Sequence, residues 1–274
     1  MSRIIRVFPH KTKMTPHDPL VRVATPPGMF DEADEVHVSV AFSWDIPAAE
    51  RLAEDWKVVA PVKVGGPAYG QPGGEFVTGM YLREGCVITS RGCPNHCWFC
   101  SVWKREPGLI ELPIKDGWNL FDDNLLACSD DHIRSVFAML ARQPHRAKFT
   151  GGLEARLLKP WHAEAIAALK PAGLYFAYDT PDDWEPLKVA AEMMHEAGIS
   201  TKSHKMGCYV LCGYKGDTQA EAEHRMQQVL STGLTPFAML YRDQDGKRDP
   251  AWRQWAKQWI RPTIIYATEH GEGE

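Results

Sequence analysis

From about residue 84 onward, strand-like runs of apolar residues alternate with helix-like segments. Strands that alternate with helices pair in parallel through crossover connections, and the helices cover the sheet. Six such units predict an α/β fold in which parallel strands form a partial (β/α)6 barrel. The six predicted strands are Cys86–Thr89, Trp118–Phe121, Ala147–Thr150, Leu174–Tyr178, Cys208–Cys212 and Thr235–Tyr241.

Helix starts are marked between these runs. After Ser129, apolar residues recur at the spacing of one helix face, which predicts a helix there. Thr218 and Glu221 have the spacing of a capping box, which predicts the start of another helix. Proline in the first helical turn marks three more starts, at Pro160, Pro181 and Pro250.

The first part of the chain has a different pattern. Two β-rich runs, Val36–Phe42 and Val58–Val64, flank a helix that Asp45-Ile46-Pro47 opens. Glycines and proline between Tyr69 and Gly79 predict a linker. Residues 1–83 are therefore predicted to form a small N-terminal α/β cap with its linker, and residues 84–274 the barrel with a C-terminal helix.

The composition limits the class of protein. A chain of 274 residues with 44% hydrophobic and 24% charged residues is typical of a globular protein. The net charge of −4 gives no electrostatic footprint for nucleic acid. No apolar run at the N-terminus predicts a signal peptide, and none approaches the roughly 20 residues of a membrane helix. We therefore expect a cytoplasmic protein that does not bind membranes.

Three of the seven cysteines lie in one short run, Cys93, Cys97 and Cys100, with the spacing C-x₃-C-x₂-C. Three thiolates on one loop can hold three irons of a [4Fe–4S] cluster and leave the fourth iron open to bind a small molecule. A structural zinc site is the alternative; it usually has four ligands, and His96 would be the fourth. Three other cysteines are interpreted as buried apolar side chains: Cys128, Cys208 and Cys212.

The cysteine run, with Phe99 before the last cysteine and a strand-like lead-in from Val87, resembles the cluster loop of the radical S-adenosylmethionine (radical SAM) superfamily. The barrel is similar to that of its cobalamin-type branch, and the cap resembles a shortened Rossmann domain. The resemblance implies a [4Fe–4S] cluster and SAM as cofactors. It also implies reductive cleavage of SAM and abstraction of a hydrogen atom from a small-molecule or otherwise unidentified substrate.

The same resemblance implies an electron donor such as flavodoxin or ferredoxin. The cap lacks the D-x-H-x-x-G loop that holds cobalamin in related domains, so we predict that it does not bind cobalamin. A non-catalytic zinc- or iron–sulfur-binding protein is the alternative function.

Acidic residues follow two predicted strands. Asp122 and Asp123 stand where the family has a short polar motif that accepts hydrogen bonds from the SAM amino group; the alternative is an N-cap for the next helix. Asp179 is a candidate for the SAM ribose hydroxyls, or else the cap of the helix at Pro181.

Four other residues complete the predicted SAM site. Arg156 is a candidate partner for the SAM carboxylate. Glu154 would share its face on an extended segment, where a salt bridge with Arg156 is one of several roles open to it. Gly213 lies in a segment that resembles the I-x-G-x-x-G-E-T motif of the family, where glycine permits close approach to adenine. Phe99 is expected to contact adenine as well.

Overall fold

A computed structural model describes residues 2–70, 75–106, 108–201, 204–243, 246–247, 249–259 and 265. Residues 71–74 of the predicted linker therefore lie outside the described residues. The chain divides into two compact units, Met1–Trp118 and Asn119–Glu274. The cysteine loop belongs to the first of these units, whereas the sequence grouped it with the segment that starts at residue 84.

The first unit contains a four-stranded parallel sheet, with the order β2-β1-β3-β4. The sequence predicted the third and fourth strands and missed the first two, although Ile4 to Phe8 is mostly apolar. In this order β2 lies on one side of β1, and β3 and β4 lie on the other. The boundary between β1 and β3 is therefore a topological switch point. The strands are β1 (Ile4–Phe8), β2 (Val21–Val23), β3 (Glu35–Ser39) and β4 (Val62–Gly65).

One helix, α1 (Ile46–Trp56), packs against β3 and β4. It begins where the sequence predicted, with Pro47 in its first turn. Its buried residues recur at the spacing of a single helix face, so burial of that face stabilises the helix on the sheet. These residues are Ala49, Leu52, Ala53 and Trp56.

Short elements flank the cysteine loop in the first unit. Two-residue strands β6 and β7 pair antiparallel on either side of it, and a one-turn helix follows its last cysteine. The loop is therefore held at both ends by regular structure. The elements are β5 (Cys86–Val87), β6 (Ser90–Arg91), α2 (Val102–Arg105) and β7 (Ile110–Glu111).

In the second unit, strands and helices alternate along the chain, and its five strands lie parallel in the order β12-β11-β10-β9-β8. The predicted α/β class with parallel strands is confirmed. The elements are β8 (Asn119–Leu120), α3 (Asp130–Ala141), β9 (Lys148–Leu153), α4 (Pro160–Ala168), β10 (Gly173–Tyr178), α5 (Trp184–Glu196), β11 (Met206–Cys212), α6 (Gln219–Ser231), β12 (Thr235–Leu240) and α7 (Pro250–Trp255).

The two faces of this sheet differ. Alternate residues of β10 and β11 are fully or nearly fully buried on the face that α5 and α6 contact. The other face carries aromatic rings: Tyr175 stacks on Tyr209 with centroids 4.8 Å apart, and Phe237 meets Tyr175 edge-on at 5.7 Å. Gly207 lies between them, because a Cβ there would come within 2.6 Å of the Tyr175 ring.

The predicted helix starts are confirmed where a cap was predicted. The Ser129 hydroxyl accepts from the His132 N–H at 3.2 Å, and Thr218 and Glu221 form the predicted reciprocal capping box. Within the part of the chain that the structure describes, no helix is long and apolar enough to cross a membrane.

Gly151 tests how β9 fits against the end of β8. A Cβ at residue 151 would lie 2.2 Å from the Asp122 carbonyl oxygen, which is backbone and cannot move aside cheaply. We expect Gly151→Ala to lower the free energy of unfolding by about 1–3 kcal/mol, measured by urea denaturation followed by circular dichroism. Gly173→Ala is the matched control in the same sheet, because its nearest neighbour atoms would be 3.8 Å away. Equal stability of the two variants would contradict the prediction.

Candidate functional site

The cysteine loop of the first unit is shaped by a close backbone approach before Cys93. Gly92 has a φ of +82°, and a Cβ there would lie 1.8 Å from the Gly108 carbonyl oxygen. Only glycine satisfies both conditions. Further along, the Cys97 carbonyl accepts from the Cys100 N–H at 3.1 Å and from the Trp103 indole N–H at 2.9 Å. These bonds close the loop into a compact turn.

Backbone donors point at two of the three sulfurs. The Asn95 N–H donates to Cys93 Sγ and the Val102 N–H donates to Cys100 Sγ, each at 3.4 Å. Hydrogen bonds of this kind stabilise negative charge on sulfur and tune the metal that the sulfur binds. All three cysteines are unbridged and half-buried. They therefore have the exposure and the surroundings that thiolate ligands require.

The donor set fits an iron–sulfur cluster in kind, because thiolates are the soft ligands that such clusters use. Across the described residues, no three His, Cys, Asp or Glu side chains converge closely enough to hold a single metal ion. His96, the candidate fourth ligand of a zinc site, is exposed and lies with its ring 5.3 Å from that of Trp103. Phe99 is half-buried beside Trp98, ring to ring at 5.3 Å.

The other four cysteines are buried. Burial raises the pKa of Cys212 to about 12 and also raises the pKa of Cys208, so both remain protonated thiols at neutral pH. Both point to the helix-covered face of the sheet as small apolar side chains, which is how they were interpreted from the sequence. The remaining two are Cys86 and Cys128.

In the second unit, Asp122 and Asp123 directly follow β8. Asp122 is 2% exposed, and its backbone is the surface on which Gly151 packs. The alternative role as an N-cap is wrong for both residues, because Ser129 caps α3 and Asn124 precedes the short 3-10 turn between them. Their position at the carboxyl end of a parallel strand is where ligands bind in α/β sheets.

The segment after β9 differs from its prediction. The strand continues through both glycines to Leu153, and residues 155–157 form a 3-10 turn rather than extended chain. The predicted common face of Glu154 and Arg156 is therefore wrong, since that geometry requires a strand. Arg156 Nη2 instead pairs with Asp183 Oδ1 at 2.9 Å, with the Arg156 side chain 46% exposed.

Asp183 also organises the turn after β10. Its Oδ2 accepts from the N–H groups of Asp179 and Thr180 at 3.0 and 2.8 Å, and from the Thr180 hydroxyl at 3.2 Å. The turn is thus closed by Thr180 and Asp183, and the alternative that Asp179 caps the helix at Pro181 is wrong. The sequence analysis missed Asp183, although it stands three residues after Thr180, where a capping box has its acid.

The surroundings of the Asp179 carboxyl disfavour its ionised form. Burial, and then the nearby carboxylates of Asp183 and Glu154, raise its pKa to about 7, while a hydrogen bond from the Leu211 N–H opposes this. A carboxyl at a strand end whose pKa lies near neutrality can accept or donate a proton there. Such perturbed groups concentrate at functional sites.

Gly213 begins a braced loop after β11. Its φ is +75°, and a Cβ there would lie 3.0 Å from the Trp252 indole. Its N–H donates to Asp217 Oδ2 at 2.7 Å, and Arg225 Nη2 bonds the same carboxylate at 2.9 Å and the Leu211 carbonyl at 3.1 Å. Asp217 and Arg225 are nearly inaccessible, so this ion pair fixes the loop. This pair was not predicted from the sequence, because Arg225 lies on α6.

The strand ends of the second unit thus gather several acids at the carboxyl edge of a parallel sheet, and Arg156 and Arg225 pair with two of them. Carboxylates there can accept hydrogen bonds from ammonium or hydroxyl groups of a ligand. Comparison with known proteins adds no identity, since no family model and no curated protein matches the chain. The chemistry of the residues therefore carries the functional argument.

The raised pKa of Asp179 predicts a pH-dependent stability. Between its usual 3.8 and about 7, the folded state holds a proton that the unfolded state has lost, so this group reduces stability as the pH rises through that window. We expect Asp179→Asn to gain stability relative to wild type between pH 5 and pH 8, measured by urea denaturation at both. Asp182→Asn, an exposed acid of the same turn, is the control and should show no such gain. A constant difference between Asp179→Asn and wild type at the two pH values would refute the assignment.

Proposed function

We propose that this chain is a radical SAM enzyme, in which Cys93, Cys97 and Cys100 hold a [4Fe–4S] cluster. The observation that carries the proposal is the cysteine loop itself: three unbridged, half-buried thiols with backbone N–H donors on two sulfurs. Its spacing suits three irons and leaves one iron for SAM. The strand-helix alternation of the second unit supports the further proposal that its sheet belongs to a partial (β/α)6 barrel.

The residues of the cysteine loop would bind the cluster and orient it. The N–H groups of Asn95 and Val102 donate to the sulfurs of Cys93 and Cys100, and hydrogen bonds of this kind would tune a cluster that these sulfurs hold. The Trp103 indole holds the backbone of the middle cysteine, Cys97, through its carbonyl. When bound, the cluster supplies the electron that cleaves SAM to methionine and a 5′-deoxyadenosyl radical.

Residues of the second unit are proposed to recognise the polar groups of SAM. A carboxylate of Asp122 or Asp123 accepts from the ammonium group, and Asp179 accepts from the ribose hydroxyls when it is ionised. Arg156 shares its charge with Asp183, so it is the weaker candidate for the SAM carboxylate. Glu154, two residues before Arg156 in the chain, also remains a candidate for binding SAM.

The adenine contacts follow from the family resemblance, with Phe99 against the ring and Gly213 where close approach is needed. The electron comes from a donor of the flavodoxin or ferredoxin class. The substrate remains an unidentified molecule that gives up a hydrogen atom. These assignments rest on the site chemistry and on the resemblance.

Reconstitution of the cluster tests the metal site. We expect the protein, reconstituted anaerobically with iron and sulfide, to show a [4Fe–4S] spectrum that changes when SAM binds. Replacement of Cys93, Cys97 and Cys100 by Ala should abolish the spectrum, because the ligands are gone. The matched control replaces the buried Cys128, Cys208 and Cys212 by Ala and should keep it. A triple loop variant that still assembles the same cluster would show that the ligands are elsewhere.

The same sample separates the enzyme from a non-catalytic metal protein. With dithionite and SAM, the enzyme should form 5′-deoxyadenosine even without its substrate, measured by chromatography. A reconstituted cluster that yields no 5′-deoxyadenosine would favour an iron–sulfur-binding protein. Stoichiometric zinc in place of iron would favour the structural zinc site.

Substitution of the acids after β8 tests SAM recognition. We expect Asp122→Ala or Asp123→Ala to weaken SAM binding to the reconstituted protein by tenfold to a hundredfold, or about 1.5–3 kcal/mol, because one charge-assisted hydrogen bond is lost. The cluster spectrum should survive. Asp131→Ala, an exposed acid in the first turn of α3, is the control. Equal SAM affinity in all three variants and wild type, by equilibrium dialysis, would remove these acids from the site.

A further inference from the structure

A chain of four polar side chains crosses one face of the four-stranded sheet in the first unit. Glu35 and His37 stand two residues apart on β3 and therefore share a face. Lys63 on β4 is the register partner of His37. Tyr81 reaches the same place from the segment that follows the predicted linker.

The contacts in this chain are short and continuous. Tyr81 Oη lies 2.6 Å from His37 Nδ1, and His37 Nε2 lies 2.6 Å from Glu35 Oε2. The second oxygen of Glu35 pairs with Lys63 Nζ at 2.5 Å. The phenol and imidazole rings also stack, with centroids 6.0 Å apart and planes 24° apart.

The charges determine where the protons are. Hydrogen bonds from Lys63 and then from His37 lower the pKa of Glu35, so Glu35 is a carboxylate that accepts from His37 Nε2–H. In a neutral imidazole, Nδ1 is then the acceptor, and the Tyr81 hydroxyl donates to it. Burial and then the Glu35 charge raise the pKa of Tyr81, against the opposing charges of Lys63 and Arg6, so the phenol keeps its proton at neutral pH.

Arg6 on β1 holds the backbone of the two residues before Tyr81. Arg6 Nη1 donates to the carbonyls of Gly79 and Met80 at 3.3 and 3.4 Å, while Arg6 Nη2 pairs with Asp18. Arg6 is the register partner of His37 on β1, so one row of the sheet positions both the ring and the main chain. Tyr81 nevertheless remains 42% exposed, which leaves it open to a reagent.

We propose that Glu35, His37 and Tyr81 form a nucleophilic relay in which the Tyr81 hydroxyl accepts an acyl group from an activated ester or thioester. The arrangement has the three roles that covalent catalysis requires: a nucleophile, a base within hydrogen-bond reach, and a group that orients the base. Tyr81 Oη bonds to the acyl carbon as its proton passes to His37 Nδ1. The bond from the acyl carbon to the leaving group then breaks, and the leaving group takes that proton.

A purely structural role makes the opposite prediction for reactivity. If the hydrogen bond only fastens residues 79–81 to the sheet, the Tyr81 hydroxyl is partly shielded and should acylate more slowly than a free phenol. If His37 acts as a base, Tyr81 should acylate faster. The rate of acylation of this one residue therefore separates the two roles.

The experiment uses the full chain and p-nitrophenyl acetate, with the acetylated residue identified by peptide mass spectrometry. We expect Tyr81 to acetylate at least about tenfold faster than N-acetyltyrosinamide. His37→Gln should lower the rate at Tyr81 by about a hundredfold, the usual contribution of a positioned base. Glu35→Gln should also lower it, because the imidazole loses its orienting partner.

Two further variants complete the test. Tyr81→Phe should lose the adduct at this position. His10→Gln should change nothing, because His10 pairs with Asp45 at 2.8 Å in the same unit and bonds to no phenol among the described residues. If His37→Gln does not fold, the Glu35→Gln rate decides. Acetylation of Tyr81 at or below the rate of the free phenol, or a rate unchanged in Glu35→Gln, would overturn the proposal and leave a structural clip.

Discussion

Parallel pairing of β8 to β12 determines where chemistry can occur in the second unit. Parallel strands need a crossover between them, so the loop that follows each strand opens at the same edge of the sheet. Residues as far apart in the chain as Asp122 and Asp217 therefore stand at strand ends of one sheet. The fold, and not only the number of acidic residues, therefore explains why acids collect at that edge.

The acids at this edge divide into two groups by what they contact. Asp183 and Asp217 are committed to structure, because each closes its own loop and pairs with an arginine, Arg156 or Arg225. Asp179 is instead buried, and it lies near the carboxylates of Asp183 and Glu154; burial first, and then these charges, raise its pKa to about 7. The loops that Asp183 and Asp217 hold in place surround Asp179. A functional group is best positioned when such supporting contacts fix its surroundings.

The sequence predicted the regular elements well where local signals are strong. The strands and helices of the second unit follow from alternation and from caps such as Thr218, because these depend on neighbouring residues. Strands β1 and β2 were missed, since β2 has only three residues and its pairing with β1 is not a local property. The barrel closure and the SAM contacts stay predictions.

The sequence located polar residues at strand ends but not the residues with which they pair. Residues at strand ends could be named because the topology places them there. The partners of Arg156 and Asp217 could not, because Asp183 and Arg225 come from other segments and the turn at 155–157 breaks the extended geometry that the sequence suggested. The Tyr81–His37 contact likewise joins residues 44 positions apart.

Four cysteines are buried and three are half-buried, and this difference has a consequence for handling the protein in air. Oxidation and alkylation need a thiolate that a reagent can reach. Cys208 and Cys212 are 0% exposed and stay protonated, whereas the three cysteines of the loop are only half-buried. Oxidative damage should therefore begin at the loop, and brief treatment with iodoacetamide should modify three of the seven cysteines of the native chain.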